Sequence, residues 1–205
     1  MNEKYEITNI AHPRYPWLHR IRALRDIRED VHAGDLGGFV QSEDNLSIHD
    51  PSWIYGDAIA CEDAYVSQNA ALFQNAVIKG SGVILGQALL SGFASVEDSA
   101  IVQDGKIEGY AHVSGYGQIQ KNAVSGIAPH ITDYASVYGI VSGNITVMEN
   151  AVVLPGVRVE NPTPDSICIL QNKQIVERST DRAMKRPVPP PEWEPPKKKH
   201  SRIER

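Results

Sequence analysis

Cysteine is almost missing from this sequence. The 205 residues contain only Cys61 and Cys168, and neither stands in a CxxC pair. A disulfide framework is thereby excluded, and the expected compartment is the cytoplasm. Long apolar runs are missing too: none approaches the roughly 20 residues that a membrane-spanning helix needs. The opening Met-Asn-Glu-Lys-Tyr-Glu lacks the basic-then-apolar layout of a secretory signal. Glycine-rich pieces such as Gly80-Ser81-Gly82 have no P-loop lysine and no helical pattern behind them, so they do not read as phosphate cradles. Basic charge is scarce except at one end. Residues 178 to 205 hold nine Lys/Arg against four Asp/Glu, a net +5, which leaves −10 on the rest of a chain whose formal charge is −5. A body that acidic is not expected to bind nucleic acid, and any anionic partner falls to the tail.

What is present is a six-residue repeat. The positions Ile48, Ile54, Ala60, Val66, Leu72, Ile78, Ile84, Leu90, Val96 and Val102 are six apart. A small residue follows four places after nearly every one: Ser52, Ala58, Ala64, Ala70, Ala76, Gly82, Ala88, Ala94 and Ala100. The phase slips by one at Gln103-Asp104-Gly105 and resumes at Ile107, Val113, Ile119, Ser125, Ile131 and Val137. It slips by two at Tyr138-Gly139 and continues at Val141, Val147, Val153 and Val159. Of these 20 positions 18 are Ile, Leu or Val, which identifies the repeat as the organising feature of the fold.

The spacing fits neither a helix nor a long two-faced strand. The small residue and the next aliphatic one are two apart, so both point inward, and the residues between and beside them point outward. Corner pairs such as Gly56-Asp57, Gln68-Asn69 and Gln74-Asn75 tolerate the left-handed backbone of a sharp turn. Three six-residue sides make a triangular coil, and 20 sides make six to seven coils. The expected fold is all-β: a single-stranded parallel β-helix with short β caps.

The pattern aliphatic-x-Gly-x-Ala-x resembles the hexapeptide-repeat left-handed β-helix superfamily, which includes many trimeric acyltransferases. A nearer likeness is to the YdcK-type β-solenoid proteins of bacteria and phages. It is carried by Leu18-His-Arg-Ile-Arg-Ala-Leu-Arg-Asp-Ile27, Ala33-Gly-Asp-Leu-Gly-Gly-Phe-Val40 and Asn45-Leu-Ser47. The resemblance spans residues 4 to about 160. It implies the left hand, an acyltransferase-like ancestry and trimeric assembly. No extended loop of the kind that carries catalytic groups in those enzymes is evident between coils.

Four regions follow: a leader or β cap over 1–46, the β-helix over 47–160, a cap hairpin over 161–177, and a disordered Pro-rich basic tail over 178–205. In the tail, Trp193 with Lys197, Lys198 and Lys199 are candidates for gripping a partner. On the coils the register predicts three outward columns. Apolar residues in two of them, Tyr65, Val83, Leu85 and Ile101 on side two and Trp53, Tyr55 and Phe73 on side three, read as a homotrimer interface. His112 and His130, 18 apart, are predicted to stack on side one as candidate general bases, with Ser114 and Thr132 beside them. Two imidazoles are one ligand short of a catalytic zinc, so no metal is expected. His12, His19, His32 and His49 lie in or near the leader and read as structural. The favoured function is a non-catalytic binding or assembly scaffold. The alternatives are an acyltransferase working on a coenzyme A thioester through His112 or His130, and a small-ligand site between trimer subunits.

Overall fold

The computed structural model describes residues 2–171 and 173–177. The tail, with Trp193, Lys197, Lys198 and Lys199, lies outside the described residues. Residues from Ser47 onward wind into a triangular solenoid of about seven turns, and the strands line up into three sheets. Face one carries Ile59, Val77, Ser95, His112, Ser136 and Val152 in successive rungs. Face two carries Tyr65, Val83, Ile101, Gln118, Ile140 and Arg158. Face three carries Trp53, Ala71, Leu89, Lys106, His130, Thr146 and Cys168.

The inward register is the one the repeat predicts. Ile54, Val66, Leu72, Ile78, Ile84, Leu90, Val96, Val102, Ile107, Val113, Ile119, Ile131, Val137, Val141 and Val147 are fully buried, and so are the alanines four places on, except Ala123 after Ile119, which is exposed. The corner that leads into face one is an unbroken alanine ladder of Ala58, Ala76, Ala94, Ala111, Ala135 and Ala151. Strands of two or three residues are too short to hold together alone. Each rung is secured by parallel backbone bonds to the rungs before and after it, which makes stability a nearest-neighbour property.

The corners explain why Gln, Glu and Asp stand where glycine might be expected. Glu62, Gln68, Gln74, Asp98 and Asp133 adopt positive φ near 60°. Each offers a side-chain oxygen to a backbone N–H at the same corner of the next coil. Glu62 accepts from Gly80, Gln68 from Gly86, Gln74 from Gly92, Asp98 from Gly115, and Asp133 from Glu149, all at 2.7–2.9 Å. A bond to an otherwise unpaired amide offsets part of the strain of a left-handed residue. Where the coils approach most closely no side chain fits: at Gly86, φ +70°, a Cβ would lie 1.8 Å from the Gln103 carbonyl oxygen.

The leader closes the first coil. Strands β1 (Tyr5–Ala11), β2 (His19–Ala23) and β3 (Leu36–Val40) form an antiparallel set, and β3 joins face one in parallel beside Ile59-Ala60. A buried lysine anchors it. Lys4 Nζ donates to the Ser47 and Ser52 carbonyls, both at 2.6 Å, and to Ser52 Oγ at 3.2 Å, with Asp50 at 3.9 Å. Burial holds its pKa down at about 8. Tyr5 beside it donates its hydroxyl to the Glu43 and Leu46 carbonyls. At the other end Ser166–Leu170 continues face three, and Lys173–Glu177 folds back against it.

Candidate functional site

Trp53 was expected to face outward into an oligomer. Its residue position is on face three, yet it is 1% exposed. The leader covers it: Val31 joins the same apolar cluster, and the Tyr5 ring meets it edge-on at 6.4 Å. Tyr55 and Phe73 are half-buried and stack on each other at 4.4 Å, and the Tyr55 hydroxyl bonds the Asp30 carboxylate. Arg28 also reaches down to Asn69. On face one the leader residues Leu18 and Phe39 cover Ile59. Tyr65, Val83, Leu85 and Ile101 have no such cover. Tyr65 and Ile101 are 39% and 38% exposed, and Val83 and Leu85 are partly exposed.

The two histidines do not stack. His112 lies on face one between Ser95 and Ser136, whereas His130 lies on face three between Lys106 and Thr146. The cause is an insertion. Ile119 and Ile131 are 12 residues apart and were read as two sides, but only one corner separates them. The surplus is a loop over 121–129, which was not foreseen between coils. Asn122 organises it: its side-chain oxygen accepts from the Val124 and Ser125 amides, and its carbonyl accepts from Gly126 N–H. Every outward residue after the loop is displaced by one face. Thr132, Thr146 and Met148 accompany His130 to face three, Tyr138, Val152 and Leu154 are on face one, and Ile140 is on face two. The warning in the sequence was Ser125, the one polar residue in the aliphatic column.

Each histidine has acquired a different partner. His112 Nδ1 is 2.7 Å from Ser95 Oγ, and Ser114, on the same face, is buried. This is a nucleophile–base contact, but among the described residues no carboxylate bonds the ring. Ser95 also lines a cavity of about 430 Å³ whose walls include Tyr15, Trp17, Leu18, Val77 and the Lys79–Glu97 ion pair. Cys61 lies in that wall too, and burial pushes its thiol up to about 11, so it is not a ready nucleophile.

His130 Nε2 is 2.7 Å from Glu108 Oε1. Glu108 also pairs with Lys106 at 2.5 Å; Lys106 first and His130 second hold its carboxyl below the usual range. A carboxylate fixed in its ionised form orients an imidazole. His130, without Glu108, lines a cavity of about 520 Å³ between the loop and face three, together with Asp104, Lys106, Lys121, Gly126 and Pro129. Lys121 closes on Asp104 at 3.5 Å. Among the described residues no three His, Cys, Asp or Glu side chains converge as metal ligands. No protein-family model and no curated protein matches the chain.

Proposed function

We propose that the protein is a self-associating scaffold for binding and assembly, of the YdcK-type solenoid group in bacteria or phages, working in the cytoplasm without turnover. The observation that supports this reading is face two. At each end antiparallel strands extend one of the three sheets, face one at the start and face three at the finish, and this favours copies that meet side by side. The leader covers the top of faces one and three, and the 121–129 loop overhangs face three. Face two is left largely uncovered for five rungs; the loop touches it where Asn122 donates to Ser142. The accessible outward residues of these rungs are Tyr65, Val83, Leu85, Ile101, Gln103, Gln118, Gln120 and Ile140, and none is charged. For bodies that carry −10 each, an uncharged apolar face is where identical copies approach at least electrostatic cost. Three such faces meet around an axis as a trimer with closed symmetry.

A charge placed on that face separates the copies. Ile101→Glu is expected to shift the protein from trimer to monomer in sedimentation velocity with an unchanged circular dichroism spectrum. Leu89→Glu on face three is expected to leave the trimer intact. Dissociation by Leu89→Glu but not by Ile101→Glu would move the interface elsewhere.

The second reading is acyl transfer from a coenzyme A thioester, and the observation favouring it is His130, which lines the cavity beneath the loop and is held by Glu108. There His130 takes the proton of an acceptor amine or hydroxyl as it attacks the thioester carbonyl, and the thiol leaves. If coenzyme A release is found with any acceptor, His130→Ala is expected to lower the rate about 100-fold or more, and Glu108→Gln by a smaller factor. His112→Ala is expected to leave it unchanged. Activity that survives His130→Ala excludes this reading.

A further inference from the structure

A ladder of aromatic rings climbs the corner between faces three and one. Phe93, Tyr110 and Tyr134 stack in successive coils with centroids 5.1 and 5.0 Å apart and planes within 6° of parallel. All three are exposed, Phe93 to 56%. Tyr134 and Tyr110 cover one face of Phe93 from the side of the later coils. On the side of the earlier coils the ladder stops, because the same corner position holds Asn75 and then Asp57.

That end of the ladder lies in a cavity of about 430 Å³ lined by His12, Arg14, Tyr15, Arg20, Phe39, Asp57, Ile59, Asn75 and Phe93. The volume is within the range of small-ligand sites, about 300–1,000 Å³. The far wall is rigid. Arg20 donates to the Gly37 and Gly56 carbonyls and to Asp57 at 2.6 Å, and it lies over the Phe39 ring at 4.3 Å. His12 accepts the Arg14 and Tyr15 amides at Nδ1 and stacks on Tyr15, which fixes the turn that carries Arg14. Two polar groups in the lining are uncommitted. Among the described residues, neither the Asn75 carboxamide nor the Arg14 guanidinium has a hydrogen-bond or ion-pair partner.

We infer that this cavity binds a nucleoside monophosphate, with its base stacked on Phe93 as the next rung of the ladder. Three features select that chemistry. Phe93 presents a ring already oriented by two others, so stacking a planar base costs no ordering of the platform. Asn75, one rung along, offers a donor and an acceptor side by side, the arrangement that pairs with a purine edge. Arg14 supplies a fork for an anionic group at the open rim. The acidic body disfavours a polymer but not a single nucleotide. The site is separate from face two and from the His130 cavity, so it stands or falls independently of the proposed scaffold function.

The test is isothermal titration of the intact protein with adenosine 5′-monophosphate, guanosine 5′-monophosphate, adenosine and ribose 5-phosphate. Saturable binding is expected for at least one monophosphate, weaker binding for adenosine, and none for ribose 5-phosphate. Phe93→Leu is expected to weaken binding about 5- to 100-fold, the usual effect of losing one base–aromatic stack. Asn75→Ala and Arg14→Gln are also expected to weaken it. All three residues are exposed, and an unchanged thermal midpoint establishes that each variant is folded. No saturable heat with any nucleotide up to millimolar concentration overturns the inference. So does binding that Phe93→Leu leaves unchanged, or ribose 5-phosphate binding as tightly as the nucleotide.

Discussion

Ala76→Leu is expected to lower the thermal midpoint by about 6–12 °C. Ala76 is fully buried, and it sits between Ala58 and Ala94 in the alanine ladder that leads into face one. Above and below it the interior is set to the width of a methyl group, and the adjoining core residues Ile78 and Val96 are fully buried. Three additional carbons can be placed only by spreading rungs that short parallel strands hold together. Overpacking of this kind costs about 1–3 kcal/mol, and the upper end or more applies where backbone bonds must also stretch. A protein of this size loses roughly 2–4 °C per kcal/mol. Ala88→Leu is a second case. Its neighbours in the corner leading into face three are Ala70 and Gly105, and the space beside the glycine is filled by the Pro129 carbonyl and the Ile119 side chain, so a comparable loss is expected. Thermal denaturation followed by circular dichroism measures both. A variant of Ala76 that melts with the parent would mean that this position does not face inward.

Lys4→Met is expected to lower the midpoint by roughly 5–15 °C, because it strips a buried donor from two main-chain carbonyls and Ser52. Each orphaned acceptor costs about 1–3 kcal/mol, offset in part by no longer burying an ammonium. The pH dependence identifies the cause. Burial lowers the Lys4 pKa from 10.5 to about 8. Between those values the unfolded chain holds a proton that the folded chain has released, so this group makes stability rise with pH across that window. Below pH 8 both states are protonated and its contribution is flat. Tyr5 works in the opposite direction, since burial raises its pKa and the unfolded phenol ionises first. Cys61, pushed up to about 11, opposes it likewise from about pH 9. The difference between parent and Lys4→Met in urea unfolding isolates the lysine: the parent's advantage is expected to grow from pH 8 to 10. A constant difference over that range would mean that Lys4 is not the buried cation.

The core was legible because its signal is periodic and apolar. A six-residue beat with a small residue four places on has one geometrical meaning, and both slips fell at true corners, where Gly105 and Gly139 leave room to shorten the path. The outward faces were legible only as far as the count of corners was right. Between Ile119 and Ile131 the spacing of 12 was compatible with two sides or with one corner and a loop, and periodicity alone does not separate them. Two sides would keep the inward set nearly intact while moving every later outward residue by one face. That single displacement created the His112–His130 pair and hid His130–Glu108; Ser95 and His112 precede the loop and share side one in either count. Trp53 was misplaced for another reason. Its alternation is that of an outward residue, and only the path of the leader decides that it is covered. Lys4 carried no signal at all, because a lysine ahead of a strand is ordinarily solvated and its burial depends on carbonyls more than 40 residues away.

The proposed scaffold role rests on copies meeting at face two. Multi-angle light scattering of the intact chain at micromolar concentration measures this without substitution or label. Three chain masses are expected, unchanged on raising the salt, because the contact is apolar and uncharged. A single chain mass at every concentration would contradict the proposed assembly.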